Sequence, residues 1–237
     1  MNVSIEEECL GGYFLTRHFA RPPYVSSELL PARIISMSDC LAHFVPDVWS
    51  LAWASVSQGE RIQSATSLGV DPALLQDLIT YATSEFDRSW GWPNVIFDLA
   101  FAREFAHRFL AGVDDLRLIG LALPADLAPA FIDEAQPGPG EGASGLFQCI
   151  SNGKVPASGG TPVGWEILGF QSSSFHSWLC NGLEREVFRE LGLRPAQNGL
   201  IDDARKARDI ADYCGKEGVG AEPALWQPWL LIEYALR

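Results

Sequence analysis

The segment LRLIGLALPADLAPAFIDEA, residues 116–135, places two different hydrophobic patterns side by side. Its first part, LRLIGLALP, is a short continuous apolar run, which predicts a buried strand. Its second part, ADLAPAFIDEA, has a proline near its start and a helical apolar spacing, which predicts a short helix. The segment therefore predicts a strand that leads directly into a helix.

Helical and strand patterns continue on both sides of this segment. DPALLQDLITYATSEFD predicts a helix with Asp71 as N-cap and Pro72 at its first position. NVIFDLAFAREFAHRFLAG predicts a second helix, capped by Asn94 and ended by Gly112. Further along, WEILGFQ and ALWQPWLLIEYAL predict strands, and LIDDARKARDIADYCGKEG predicts a helix between them. Because the two element types alternate irregularly, we predict an α+β fold with a mixed sheet and packed helices.

The length of 237 residues suits a single domain. The segment QPGPGEGASG, residues 136–145, is dense in glycine and proline and predicts a loop. It is the best candidate boundary within the chain. We therefore predict one α+β domain over residues 1–237, with two subdomains, 1–135 and 146–237, as the alternative.

The net charge of -13 constrains the classes of partner. Both halves of the chain carry an excess of Asp and Glu, so the acidity is spread through the fold. Phosphate backbones and anionic membrane surfaces repel such a protein, which disfavours nucleic-acid and membrane binding. A basic protein partner is favoured through electrostatic steering. The alternative is that the acidity only aids solubility.

The cysteines and the N-terminal residues predict a cytoplasmic protein. The start, MNVSIEEECLGGYF, is acidic where a signal peptide would be basic, and no apolar run follows that is long enough to cross a membrane. The five cysteines are odd in number and widely spaced, which is typical of free thiols in a reducing compartment. No Cys/His group has the spacing of metal ligands, so we predict neither a metal nor a cofactor.

The stretch SSSFHSWLCNG, residues 172–182, is the strongest candidate for catalysis. His176 and Cys180 stand four residues apart and would touch on a helix, and serines precede them. Phe175, Leu179 and Leu183, however, have the spacing of one apolar helix face, which predicts a buried helix packed on the preceding strand. The pattern GxSxG is absent from the chain. We therefore interpret His176 and Cys180 as structural, and keep a hydrolase that uses them or a nearby serine as the alternative.

Two tryptophan motifs next to proline, SWGWPN and LWQPWL, contain Trp90, Trp92, Trp226 and Trp229. Tryptophan is enriched at interface hot spots, and an acidic rim around such anchors would suit a basic partner. The alternative, that the indoles fill the core, is the one that we favour for most of them. The residues that we predict to bind a partner are Glu85, Asp87, Trp90, Trp92, Asp202, Asp203, Asp209 and Asp212.

This acidic, tryptophan-rich profile without a catalytic motif resembles the immunity proteins of bacterial toxin systems, such as those that guard against type VI secretion effectors. The resemblance rests on the spread of acidic residues and on the motifs SWGWPN and LWQPWL. It implies tight one-to-one binding of a cognate toxin without turnover. Many such toxins are basic nucleases, for which an acidic protein mimics the charge of nucleic acid. A hydrolase and a small-molecule binding or regulatory module are the other functions that we keep.

Overall fold

The computed structural model describes most of the chain, namely residues 5–38, 40–41, 62–63, 65–67, 69–91, 95–137, 139, 145–171 and 174–237. The strands within these ranges are β1 (Glu8–Thr16), β2 (Phe19–Ala20), β3 (Arg33–Ile34), β4 (Trp90–Gly91), β5 (Val95–Ile96), β6 (Arg117–Pro124), β7 (Thr161–Gln171), β8 (Ser174–Ser177) and β9 (Leu225–Tyr234). Strands β2 and β3 form a two-stranded sheet, whereas the other seven form one sheet in the order β4–β5–β1–β6–β9–β7–β8.

Among the α-helices of these ranges are α1 (Leu75–Glu85), α2 (Leu99–Phe109), α3 (Ala128–Ala135), α4 (Gly145–Ser151), α5 (Glu184–Leu191) and α6 (Ala204–Cys214). The predicted α+β class is thereby confirmed. The ladders between the described strands are antiparallel, whereas the sequence predicts a mixed sheet. Among the described residues, no helix has both the length and the apolar character needed to cross a membrane.

The sheet carries a hydrophobic core on each of its faces. In β6, Leu118 and Ala122 belong to one cluster of buried side chains, whereas Ile119 and Leu121 belong to the other. Successive residues of a strand point to opposite faces, so a strand that is covered on both sides needs a continuous apolar run. Helices α2 and α6 contribute to the first cluster, and α3 and α4 contribute to the second.

The central ladder of the sheet joins the two halves of the chain. Strand β6 precedes the glycine-rich segment 136–145 and pairs over five residues with β9, which follows that segment. The ladder runs from Leu118 opposite Tyr234 to Ala122 opposite Leu230. Residues 1–135 and 146–237 therefore share one sheet, and a division at 136–145 would separate its central strands.

Side-chain caps mark several of the helix starts. Asp71 caps the short 3-10 turn Pro72–Leu74, which leads directly into α1, and accepts a hydrogen bond from the backbone N–H of Ala73, as the sequence predicts. The start predicted for α2 is wrong, because residues 95–96 form β5 and the cap is Asp98, which accepts from the backbone N–H of Phe101 at 2.9 Å. The segment VIFD reads as part of a helix, but pairing of its first residues with β1 and β4 delays the helix by one turn.

Two glycines permit the long ladders to change register. The β1–β6 register shifts between Leu10 and Gly12, and the β7–β9 register shifts between Pro162 and Gly164. Gly12 has φ +130° and Gly164 has φ +152°, values that residues with a Cβ rarely adopt. Such bulges increase the local bend and twist of a strand.

Candidate functional site

The stretch around His176 does not form the helix that its apolar spacing predicts. Ser174–Ser177 is the edge strand β8, paired antiparallel with β7, and helix α5 begins only at Glu184. The prediction is wrong because backbone pairing with β7 outweighs the local spacing of apolar residues. In a strand, Phe175 and Ser177 point into the protein and His176 points to the opposite side. Ser172 and Ser173 lie outside the described residues.

His176 meets two cysteines and a carboxylate on this side of β8. One ligand atom from each of Cys40, His176 and Cys180 lies within 4.8 Å of the others. The Cys40 Sγ is 3.6 Å from His176 Nδ1, and the Glu222 Oε2 is 2.7 Å from the same nitrogen. We call these four residues the thiol–imidazole cluster. Cys40 and Glu222 are distant in sequence from His176, so no short sequence motif predicts that they contact it.

Backbone contacts hold the members of the cluster in place. The Ser38 hydroxyl accepts a hydrogen bond from the backbone N–H of Cys40 at 3.2 Å and donates to the carbonyl of Phe175 in β8 at 3.3 Å. Asn181 links the remaining members, because its amide oxygen accepts from the backbone N–H of Glu222 at 3.1 Å. The amide Nδ2 of Asn181 lies 3.5 Å from the Cys180 Sγ.

A buried carboxyl group lies beneath the cluster. Glu166, in β7, is 2% exposed and accepts hydrogen bonds from the Ser36 hydroxyl and from the backbone N–H of Met37, the latter at 2.7 Å. Burial raises the pKa of Glu166 to about 7, although these hydrogen bonds and one from Ser177 oppose the rise. Glu166 therefore fastens the segment that leads to Cys40 onto the sheet beside β8.

The geometry of the cluster disfavours Cys180 as a nucleophile. Its thiol donates to the carbonyl oxygen of Ser177 at 3.0 Å, and burial, together with Cys40 and Glu222, raises its pKa to about 12. A reactive cysteine needs a lowered pKa. In a catalytic triad, moreover, the nucleophile and the orienting carboxylate contact opposite nitrogens of the imidazole, whereas Cys40 and Glu222 both approach Nδ1 of His176. Two thiols and an imidazole converging on one point are instead suited to ligating a cation.

Two of the first four predicted partner residues, Glu85 and Trp90, are buried. Glu85 is 8% exposed, pairs with Arg88 and accepts from the Ser89 hydroxyl, and both contacts lower the pKa of the Glu85 carboxyl. Trp90 is 3% exposed and packs against the ring of Phe105. Asp87 is exposed, and Trp92 lies outside the described residues. The predicted combination of accessible charge and aromatic anchor is therefore not found at Glu85 and Trp90.

The second group of predicted partner residues lies along helix α6 and is exposed. Asp203 is the N-cap of this helix, accepting from the backbone N–H of Lys206 at 3.0 Å, and Asp202 forms an ion pair with the Lys206 ammonium at 2.9 Å. Asp209 and Asp212 follow on the exposed side of the same helix. Two of the four acidic residues thus have a structural role at the helix start, and the other two project from its surface.

The tryptophans of the second motif fill the core. Trp229 is fully buried and meets the rings of Phe131 and Phe175 edge-on at centroid distances of 5.4 and 5.2 Å. Trp226 is 7% exposed and donates through its ring N–H to the backbone oxygen of Glu222 at 3.0 Å. The interpretation of these indoles as core residues is confirmed, and LWQPWL does not present them to a partner as surface anchors.

A cleft of about 530 Å³ lies between the end of α2 and strands β6 and β9. His107, Asp115, Arg117 and Glu233 are among its lining residues. Arg117 contacts the carboxylates of Asp115 at 3.0 Å and of Glu233 at 2.6 Å, so the charges of the cleft largely satisfy one another. Small-molecule binding, the third function that the sequence leaves open, would be sought here.

Comparison with known proteins gives no relative from which a role could be transferred: no protein-family model, curated protein or solved structure matches the chain.

Proposed function

We propose that this protein acts in the cytoplasm as an immunity protein, which binds a cognate bacterial toxin and blocks it without turnover. The observation that carries the proposal is the net charge of -13, spread over a folded domain. Such a charge attracts a basic protein at long range and repels nucleic acids. The class of toxin that this negative charge suits is a basic nuclease, such as an effector of a type VI secretion system.

The surface best suited to the toxin is the exposed side of α6 together with the neighbouring part of α5. Asp209 and Asp212 are exposed there, and within the described chain neither forms an ion pair. Tyr213, which is half-buried, lies beside Glu186 and Glu190 of α5; burial and these two carboxylates raise the pKa of its hydroxyl. The surface thus combines negative charge with an aromatic side chain, a combination that complements an arginine-rich or lysine-rich face.

Basic residues are interspersed on this surface: Arg205 is exposed at the start of α6, and the Lys216 ammonium lies 5.7 Å from the centre of the Tyr213 ring. Lys206 forms an ion pair with Asp202. Arg208 donates through both terminal guanidinium nitrogens to the two carboxylate oxygens of Asp126, at 2.9 and 2.7 Å. Rim charges of this kind act mainly on the association rate, whereas buried contacts determine dissociation. We therefore expect the acidic side of α6 to accelerate encounter with the toxin.

The proposal is tested by co-expressing the protein with the toxin encoded next to it. The expected result is rescue of growth and a one-to-one complex that survives purification. Absence of rescue from every adjacent toxin would contradict the proposal. The association rate should then fall as salt rises, by an amount within the ~10–1,000-fold range of electrostatic steering.

A pair of double variants assigns the effect to α6. Asp209→Asn/Asp212→Asn should slow association several-fold at low salt and leave dissociation nearly unchanged. The matched control, Asp133→Asn/Glu134→Gln, removes the same charge from exposed positions of α3. Equal slowing by the two variants would show that only the total charge matters and that the α6 surface is not the binding face.

A further inference from the structure

We propose that the thiol–imidazole cluster is a zinc site, in which Cys40, Cys180 and His176 bind Zn²⁺ and Glu222 completes the coordination. Two cysteine sulfurs, one imidazole nitrogen and one carboxylate oxygen are a ligand set of the kind that Zn²⁺ prefers, with four ligands in a tetrahedron. The softness of the two thiolates favours zinc over magnesium or calcium, which take oxygen ligands. This site is independent of the toxin-binding role.

The distances between the side chains match those that zinc imposes. Bonds of about 2.3 Å to sulfur and about 2.0–2.1 Å to nitrogen, at a tetrahedral angle, separate the two ligand atoms by about 3.5–3.6 Å. The measured distance from the Cys40 Sγ to His176 Nδ1 is 3.6 Å. The same geometry separates two sulfurs by about 3.8 Å. The Cys40, His176 and Cys180 ligand atoms all lie within 4.8 Å of one another, so each separation that involves Cys180 exceeds its tetrahedral value by at most about 1.3 Å.

Glu222 is the natural fourth ligand. Its Oε2 lies 2.7 Å from His176 Nδ1, a hydrogen-bond distance that is shorter than the ~3.3 Å separation of oxygen and nitrogen around tetrahedral zinc. The carboxylate therefore has to withdraw by about 0.6 Å when Nδ1 exchanges its proton for the metal. The Glu222 side chain is 43% exposed, and its carboxylate is also 3.4 Å from the Asn181 amide, which can follow a movement of this size.

Contacts outside the ligands already orient them. Asn181 holds the backbone of Glu222 and lies against the Cys180 sulfur, and Ser38 ties Cys40 to β8. When zinc replaces the thiol proton of Cys180, the carbonyl of Ser177 keeps a donor, because the Asn181 Nδ2 is 3.2 Å from it. Outer contacts of this kind usually accompany metal sites and raise their affinity.

Zinc would join three distant parts of the chain at the sheet edge. Cys40 follows the segment anchored by Glu166, His176 and Cys180 belong to β8 and the turn after it, and Glu222 precedes β9. The metal closes the long loop between residues 40 and 176, which stabilises the folded chain relative to the unfolded one. The thiol protons of Cys40 and Cys180 pass to the buffer on binding.

The test uses the full-length protein, reduced and stripped of metal with a chelator. Titration with Zn²⁺ alone should give one equivalent bound, followed by a rise in the melting temperature. Co²⁺ should give the absorption of a tetrahedral site with a sulfur-to-cobalt charge-transfer band. Binding of no zinc by the reduced protein would overturn the proposal, as would a cobalt spectrum without sulfur ligation.

Variants and a labelling experiment identify the ligands. Cys40→Ser and Cys180→Ser should each weaken zinc binding at least ~100-fold, since loss of outer-shell partners alone costs about 10–100-fold. The control Cys9→Ser changes a half-buried thiol outside the cluster and should bind as the wild type does. Glu222→Gln should weaken binding less than either cysteine variant. Wild-type affinity in both cysteine variants would contradict the assignment.

Alkylation of the wild type answers the same question without any substitution that affects folding. Bound Zn²⁺ should protect Cys40, which is exposed, from iodoacetamide, and removal of the metal should restore its reaction. Mass spectrometry of the peptides reports the protected residue. Alkylation of Cys40 that is insensitive to zinc would refute the site, and so would a Cys40–Cys180 disulfide in a protein that binds no zinc after reduction.

Discussion

Substitution of the buried carboxyl of Glu166 should change how the stability of the protein depends on pH. Glu166 is 2% exposed in β7, and its pKa is about 7 in the folded protein against 4.5 for the ordinary group. Its folded-state pKa is thus raised, so between these two values the folded state binds more protons than the unfolded state. The contribution of this group is therefore fully present below about pH 4.5 and is lost as the pH rises through about 7.

The size of the effect follows from the shift in pKa. A pKa raised from 4.5 to about 7 corresponds to about 3 kcal/mol in the free energy of unfolding. Of this stabilisation, about 2–3 kcal/mol is lost between about pH 5 and about pH 8. For a chain of 237 residues this corresponds to roughly 5–10 °C in the melting temperature. Glu166→Gln cannot titrate, and its amide oxygen can still accept from the backbone N–H of Met37.

Urea unfolding, followed by tryptophan fluorescence from about pH 5 to about pH 8, measures the difference between wild type and Glu166→Gln. The wild type should lose stability relative to the variant as the pH rises. Glu134→Gln, at an exposed position of α3, is the control and should show no such trend. A constant difference across the range would refute the raised pKa, and a wild type that gains stability relative to the variant would show a carboxylate stabilised in its charged form.

Three further substitutions test other parts of the structure by their effect on the free energy of unfolding. Trp229→Ala removes a fully buried ring and should cost about 3–5 kcal/mol, whereas Trp229→Phe, which deletes an N–H with no acceptor among the described residues, should cost much less by the same urea measurement. Asp203→Ala removes the N-cap of α6 and should cost about 0.5–2 kcal/mol, whereas Asp209→Asn should be nearly neutral; equal losses in thermal melts would contradict the distinction. Glu184→Ala leaves the buried backbone N–H of Ser26, now bonded at 2.9 Å, without its acceptor and should cost about 1–3 kcal/mol, and faster amide hydrogen exchange at Ser26 would locate the loss.

The elements that the sequence predicts correctly are those with a strong local signal. LRLIGLALP and PWLLI are continuous apolar runs, and they form the central strands β6 and β9 because both faces of the sheet are covered. The helix after Asp203 has a cap, an amphipathic spacing and a glycine near its end, so its bounds follow from nearest neighbours alone. The burial of Trp226 and Trp229 also agrees with the prediction that most of the indoles fill the core.

The stretch 174–183 shows where local pattern is insufficient. Its apolar residues suit a helix, but the edge of β7 offers a row of backbone partners that only the tertiary structure supplies, and Ser174–Ser177 forms a strand there. This pairing with β7 also turns the His176 side chain away from the core.

The chain by itself determined the amount of charge, the apolar strands and the capped helices, since each depends on residues within a few positions of one another. Only the tertiary structure decided which side chains meet at a site. Cys40, His176 and Glu222 are separated by long stretches of sequence, and they come together because β8 pairs with β7 while Glu166 holds the segment before Cys40. Contacts across such separations depend on the order of the strands in the sheet, and the local spacing of apolar residues does not predict that order.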